Sequence, residues 1–366
     1  MESEVNLGTA MCTSDSPENP PRILFHVTVP TPAIEGTDAL FQEVDRLQAR
    51  FGGQRIFLYP FHRPGIPFPR WLYGLHQLHK LMTLDQQVDL HHVFDPGLFP
   101  YPALSFLTRP KVRTIVASLR TQTRRPWWLR PSFRDSVIVS NRRDACTLQS
   151  WGFNSKIVYP SIDVSRFTVS RPTAPHFTLM CGSAPWVPNQ FAHKGIDALL
   201  DAAQLLPDLR LVFLWRGTLL DQMQQRIRRR NLEARVHVIN RKVDVNQVLG
   251  RVHASVALAD RPEILKAYPH SLLETLAANK PVLISQCIPM ADYVVERGCG
   301  EVVTSLNPKV VVRGIQQLIE RYDTFQANTV GIAERDFSQD AMLRAYQSVY
   351  SDVLAHTSHS GGAHAQ

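Results

Sequence analysis

In "AHKGIDALL", Lys194 stands directly before Gly195, where the apolar spacing marks the start of a helix. A helix N-terminus offers free N–H groups and the positive end of a dipole, and an ammonium beside it adds a full charge. Together they suit a diphosphate. The other reading of Lys194 is a solvated surface lysine. In "YPHSLLETLAANKPVLIS", Ser271 and the turn before it open a second helix, whose amides could also reach phosphate oxygens. Glu274 lies about one turn into that helix, where an ordinary surface acid is the alternative to a ligand contact. Gly36 and Thr37 precede a third helix in "PAIEGTDALF", and a plain N-cap by Thr37 or Asp38 explains them as well as a ligand loop does.

Other reactive residues form no comparable pattern. The five cysteines (Cys12, Cys146, Cys181, Cys287, Cys299) are odd in number and lack zinc or redox spacing, which points to buried thiols in a reducing compartment. The fourteen histidines contain no metal-triad spacing, and the neighbours His91 and His92 would point to opposite faces of a strand. No metal and no separate cofactor is expected.

Charge is unevenly placed. The net charge is +8, and eight basic residues with no acid lie between Arg109 and Arg134 (Arg109, Lys111, Arg113, Arg120, Arg124, Arg125, Arg130, Arg134). An acidic partner near this segment is expected. Within it, Arg124, Arg125 and Arg130 flank Trp127 and Trp128, a mixture favoured at a membrane interface or an acidic glycan. The expectation is peripheral attachment to an anionic membrane. The alternative is an interdomain or oligomer contact with both tryptophans inside. No helix-turn-helix or RNA-binding signature accompanies the cluster, so nucleic acid is not an expected partner.

The elements that must position these residues alternate strand and helix. In the first half, "RILFHVTVP", "RIFLYP", "VDLHHVF", "VRTIVASL", "DSVIVSN" and "SKIVYP" read as strands. Residues 36–52 and the segments "RWLYGLHQLHKLMTL" and "RRDACTLQSWGF" read as helices. The second half repeats the plan, with strands near 176–183, 209–215, 234–240, 254–260, 280–285 and 300–305 and helices near 195–206, 218–231, 243–252, 269–278 and 308–322. Such alternation predicts an α/β protein with two Rossmann-like domains facing a ligand cleft. The segment 159–175, rich in Pro and Ser, reads as the interdomain linker. Residues 1–20 read as a disordered leader without secretory character and 356–366 as a disordered tail. The first domain spans 21–165, the second 166–335, and a terminal helix 336–355. No apolar run of about eighteen residues is present to span a bilayer.

With "SIDVSRF" at the crossover, "HKGIDALLDAAQLLPDLRLVFL", "YPHSLLETLAANKPVLIS" and "FSQDAMLRAYQSVY" in this order, the chain resembles the retaining GT-B glycosyltransferases of the group 1 (family 4) type over roughly residues 22–355. The resemblance implies a cytoplasmic, metal-independent enzyme of glycan or glycolipid (polysaccharide) synthesis. It would move a sugar from a nucleotide-sugar donor to a glycan or lipid-linked acceptor with retention, and its last helix would return to the first domain. It implies a donor site of Gly36, Gly182, Ser183, Lys194, Gly195, Lys266, Pro269, His270, Ser271, Leu272 and Glu274. Glu274 would take the ribose hydroxyls, and Lys194 and Lys266 are the catalytic candidates.

Three positions depart from that family's pattern. Family members often carry a histidine after the fourth strand, where this chain reads "TIVASLRT". They often carry an arginine after the glycine at 182, where Ser183 stands. The acid opening a Glu-x7-Glu pattern is replaced by Lys266. A lysine donates and cannot accept, so a donor with an anionic sugar such as a uronic acid, or direct grip on the diphosphate, is one expectation. The others are a solvent-facing Lys266 with Glu263 turned inward as the acid, or a non-catalytic scaffold.

Overall fold

The computed structural model describes residues 21–29, 39–61, 68–116, 118–119, 124–128, 130–132, 135–169, 172, 175–215 and 217–361. The first sheet is built from β1 (Ile23–Val27), β2 (Gln54–Phe57), β3 (Leu90–Asp95), β4 (Lys111–Ile115), β5 (Ser136–Val139) and β6 (Ser155–Ile157), all parallel, in the order β2-β1-β3-β4-β5-β6. β1, β3 and β5 are buried at every position, as a parallel strand covered on both faces must be, whereas the edge strand β2 buries only Ile56. Helices α1 (Ala39–Phe51), α2 (Leu78–Asp85) and α3 (Arg142–Ser150) accompany this sheet. The helix expected over "RWLYGLHQLHKLMTL" is interrupted. Arg70–Leu72 and Leu75–Gln77 are 3-10 turns, and Gly74 between them has φ 82° with the Ala103 and Leu58 side chains pressed against it. A left-handed residue cannot continue a right-handed helix.

The second sheet comprises β7 (Thr178–Cys181), β8 (Arg210–Leu214), β9 (Val236–Ile239), β10 (Ala254–Ala257), β11 (Val282–Ser285) and β12 (Gly300–Val303), in the parallel order β12-β11-β10-β7-β8-β9. This is the doubly wound order, reversing between β7 and β10, where such sheets open a crevice. Its helices are α4 (Gln190–His193), α5 (Ile196–Leu205), α6 (Leu220–Arg229), α7 (Val245–Leu249), α8 (His270–Ala277), α9 (Met290–Arg297), α10 (Pro308–Glu320) and α11 (Tyr322–Thr329). α4, α9 and α11 are additional to the helices expected from the sequence.

Segment 159–175 is pinned where it leaves the first domain. The Ile162 N–H donates to Phe337 O at 2.9 Å, Ile162 and Ser338 form a parallel bridge, and Tyr159 lies 5.2–5.6 Å from the rings of Tyr268, Tyr293 and Phe337. The outgoing and returning chain segments therefore cross side by side. α12 (Gln339–Gly361) then lies on the first sheet, with Met342, Tyr346, Val349, Tyr350 and Val353 in one buried cluster with Ile23, Phe25, Val27 and Val44. The expected disordered tail from 356 is corrected in part. α12 continues to Gly361, the first strong helix breaker after its start.

Candidate functional site

At the reversal point of the second sheet, β7 ends at Cys181 and the chain turns through Gly182, Ser183 and Ala184 beside the first turn of α8. A Cβ on Gly182 would lie 2.8 Å from Ser271 Cβ and 3.1 Å from its Oγ, so only glycine lets the loop and helix meet. Pro269 is the N-cap of α8, and Glu274, half-buried, shares the Ser271 face at i+3. Lys194 reaches this loop from the α4–α5 junction. Its Nζ donates to Ala184 O at 2.8 Å, and the residue is 7% exposed. Burial pushes its pKa down, and burial pushes the nearby Cys181 thiol up to about 11, leaving it neutral at ordinary pH. Among the described residues Lys194 forms no ion pair. A desolvated ammonium without a carboxylate is costly, and an anion is what offsets the cost.

A cleft lies between the domains. Its first-domain wall includes Glu43, Thr114, Ser140 and Tyr346, and its second-domain wall Lys266, Tyr268 and His270. Lys266 is exposed into this cleft, while His270 is half-buried. Burial, reinforced by the positive charges of Lys266 and Arg46, pushes the His270 pKa down to about 4. Glu43 accepts a hydrogen bond from Tyr346 Oη, whose oxygen lies 3.2 Å from Thr114 Oγ1. Burial raises the Glu43 carboxyl, while Tyr346 and Arg46 act against that rise. Neither Glu43 nor Tyr346 was among the sequence candidates. Their signal was present, since both sit on the apolar stripes of their helices, Glu43 between Leu40 and Leu47 and Tyr346 between Met342 and Val349.

Several of the expected donor-site residues are engaged within the fold itself. Leu272 is fully buried among Leu276, Ile284 and Met290, and its N–H already donates to Pro269 O at 2.9 Å. Gly195 is a packing position. Its φ is 63°, its N–H donates to Ala192 O at 2.9 Å, and a Cβ would sit 2.6 Å from Leu258 Cβ. Leu258 and Leu306 thus pack against the start of α5 on the side where a Cβ of residue 195 would lie. Glu263 does turn inward, with Oε1 buried and unpaired, but it lies towards Cys287 and is not among the residues lining the cleft. Gly36 and Thr37, and Arg120 and Arg134 of the basic segment, fall outside the described residues.

The basic segment lies elsewhere. Arg124, Arg125 and Arg130 are exposed and Trp127 is 89% exposed, whereas Trp128 is half-buried against the cluster of Leu119 and Phe153. Trp128 and Arg130 line a groove with Arg113 and Val137. Arg113 and Val137 are paired neighbours on β4 and β5, whereas the interdomain cleft is lined further along these strands by Thr114, Ile115, Ile138 and Val139, so among the described residues the groove and the cleft share no lining residue. Among the described residues, no helix is long and apolar enough to cross a membrane, and no group of three His, Cys, Asp or Glu residues could hold a metal ion.

Two parallel six-stranded doubly wound domains, a cleft between them and a last helix returning to the first domain define the GT-B architecture. Within it, residues 185–331 match the family model described as Glycosyl transferases group 1. Among solved structures, the chain is similar to Anabaena HepE in complex with UDP, at 16% identity and TM-score 0.66, covering 90% of this chain and 100% of that one. It is also similar to a glycosyltransferase from Rickettsia africae, at 14% identity and TM-score 0.70, covering 91% and 99%. A third is the apo form of the lipopolysaccharide outer core galactosyltransferase WaaB, at 13% identity and TM-score 0.69, covering 90% and 99%. No curated protein matches the sequence.

Proposed function

We propose that the protein is a glycosyltransferase that moves a sugar from a nucleoside-diphosphate donor to a glycan or lipid-linked acceptor, with retention at the anomeric carbon and without a metal. The observation that carries this reading is Lys194, a desolvated cation beside the Gly182–Ser271 contact at the reversal point of the second sheet. The family match over this domain supports it, as does HepE, solved with UDP and with UDP-glucose.

In this reading the diphosphate lies against Lys194 and the Gly182–Ala184 loop, and Glu274 takes the ribose hydroxyls. The bond from the anomeric carbon to the phosphate oxygen breaks as the acceptor oxygen attacks from the same face, and the acceptor proton passes to the departing phosphate. Lys194 stabilises the charge that grows on that phosphate, the two domains position the two substrates, and closure of the cleft excludes water.

A panel of nucleoside diphosphates and their sugars tests the reading twice. A bound donor raises the melting temperature, and turnover releases nucleoside diphosphate. If no panel member stabilises the fold, the reading is wrong. The replacement of an acid by Lys266 favours a second reading, a GT-B scaffold that binds without turnover, and stabilisation without release would select it.

The exposed Trp127 with Arg124, Arg125 and Arg130 supports peripheral attachment to an anionic membrane at its cytoplasmic face. In flotation with anionic liposomes, the wild type should rise and a Trp127→Ala/Trp128→Ala variant should rise less. A wild type that stays at the bottom removes the membrane from the account.

A further inference from the structure

Glu43 enters the cleft from the first domain, and Lys266 enters the same cavity from the second. Behind Glu43 a chain of buried groups can be oriented from chemistry alone. His92 is fully buried, and burial pushes its pKa down to about 3, so it is neutral. One ring nitrogen therefore donates and the other accepts. With Glu43 ionised, the Tyr346 hydroxyl proton goes to Glu43 Oε1. The Tyr346 oxygen must then accept from the Thr114 hydroxyl at 3.2 Å, and the Thr114 oxygen from His92 Nε2–H at 2.8 Å. His92 Nδ1 is left to accept from the Tyr350 hydroxyl at 2.7 Å. Four hydrogen bonds thus run head to tail and end on one carboxylate oxygen. Each bond in such a chain polarises the next, which strengthens the last donor.

This chain fixes the orientation of Glu43 and spends one of its oxygens. The groups facing the carboxylate are Arg46 on its own helix, Tyr346 on α12, and Lys266 and His270 across the cleft. Arg46 is also tied to the crossover, donating to Ser161 Oγ at 3.2 Å. The cavity therefore holds an oriented acceptor on one wall and a donor-only cation on the other.

We propose that Glu43 reads the sugar of the donor, accepting a hydrogen bond from a ring hydroxyl while Lys266 donates to another sugar oxygen, so that the site takes a neutral sugar. The inference rests on the nucleotide-sugar reading above. It replaces the expectation that Lys266 calls for an anionic sugar, because a uronic carboxylate would share a small cavity with the carboxylate of Glu43. The acid absent at position 266 is supplied from the opposite domain.

The test is calorimetric titration of the full chain with UDP, UDP-glucose, UDP-galactose and UDP-glucuronate, and with GDP, GDP-mannose and GDP-mannuronate. A neutral sugar nucleotide should bind about tenfold or more tighter than the matching uronate, the scale of a hydrogen bond to a charged group. Glu43→Gln should cut the affinity ratio of the neutral sugar nucleotide to its bare diphosphate by about tenfold. Tyr346→Phe, which removes the donor that favours the ionised acid, should move the acid limb of that ratio to higher pH, a shift that a purely structural role would not produce. A uronate that binds as tightly as its neutral partner, or an unchanged ratio in Glu43→Gln, overturns the proposal while diphosphate binding keeps the nucleotide-sugar reading intact. If neither diphosphate nor any sugar nucleotide binds, both fall together.

Discussion

The two domains bury different polar residues beyond the hydroxyls that both enclose, Thr28, Thr114, Ser136 and Ser155 in the first and Thr178, Ser255, Thr275, Ser285 and Thr329 in the second. The first adds His26, His91, His92, Asp85, Asp95, Asn141 and Asp144, while the second adds two lysines, Lys194 and Lys280. In the first, titratable side chains are wired together. His26 Nε2 lies 2.9 Å from His91 Nδ1, and His91 Nε2 lies 2.8 Å from Asp85, which also accepts from the Thr108 hydroxyl and N–H. In the second, hydroxyls bond locally, as Thr275 does to Ser255 Oγ and to Ser271 O, and the candidate ligand groups are a glycine loop, helix amides and a cation. The candidate site of the second domain thus rests on backbone shape and charge, so steric change should break it. The site proposed for the first rests on a proton-ordered network, so pH should break it.

The largest effect is expected from Gly195→Val in the second domain. The residue has a left-handed φ of 63° and no room for a Cβ beside Leu258. Backbone strain and overpacking together should cost about 2–5 kcal/mol, read by denaturant unfolding. A loss below about 1 kcal/mol would show that the α4–α5 junction yields easily.

Next is Lys194→Ala, which should weaken nucleoside diphosphate binding by about ten- to a hundredfold, or about 1.5–3 kcal/mol. The fold should remain, since among the described residues the buried ammonium's bond is to a single backbone oxygen, Ala184 O. Unchanged affinity would remove Lys194 from the site.

The pH response of the first domain comes last and is gradual. Burial holds His92 down to about 3 and His26 well below its usual value. The unfolded chain protonates these groups near pH 6.5 and the folded chain does not. Their contribution is therefore complete above about pH 6.5 and is lost as pH falls towards the folded values, at about 1.4 kcal/mol per pH unit for each histidine. Urea unfolding from pH 7 to pH 5 should show this slope, and His92→Gln should flatten it by one histidine's share. An equal slope in the variant would place the acid sensitivity elsewhere.

The same contrast governs what could be read from the sequence. The strands of both sheets were legible because buried parallel strands write continuous apolar runs, as in "ILFHV" and "VLIS". The order of the strands follows from no local pattern, and β1 has as its neighbours β2 and the more distant β3. In the second domain, Gly182, Lys194 and Ser271 could be proposed from motif spacing, since each lies within a short run that forms one turn. Leu272 and Gly195 belonged to the same motifs, and only packing separated core positions from exposed ones. In the first domain, the hydrogen bond between Glu43 and Tyr346 joins positions 303 residues apart, and no spacing rule reaches that far. α9 was missed because Pro289 before it reads as a loop, although proline is tolerated at the start of a helix.

The return of α12 to the first sheet has a consequence for the order of synthesis. A ribosome delivers β1 to β6 first, yet Met342, Tyr346, Tyr350 and Val353 complete the cluster around Ile23, Phe25 and Val27. Until those residues emerge, one face of the early sheet lacks its cover, and Glu43 lacks the tyrosine that orients it. The second domain, contained between the two crossings, can form its cores in the meantime. The half of the molecule made first is therefore the half finished last, and the acid of the cleft is set in place only when nearly the whole chain has been read out.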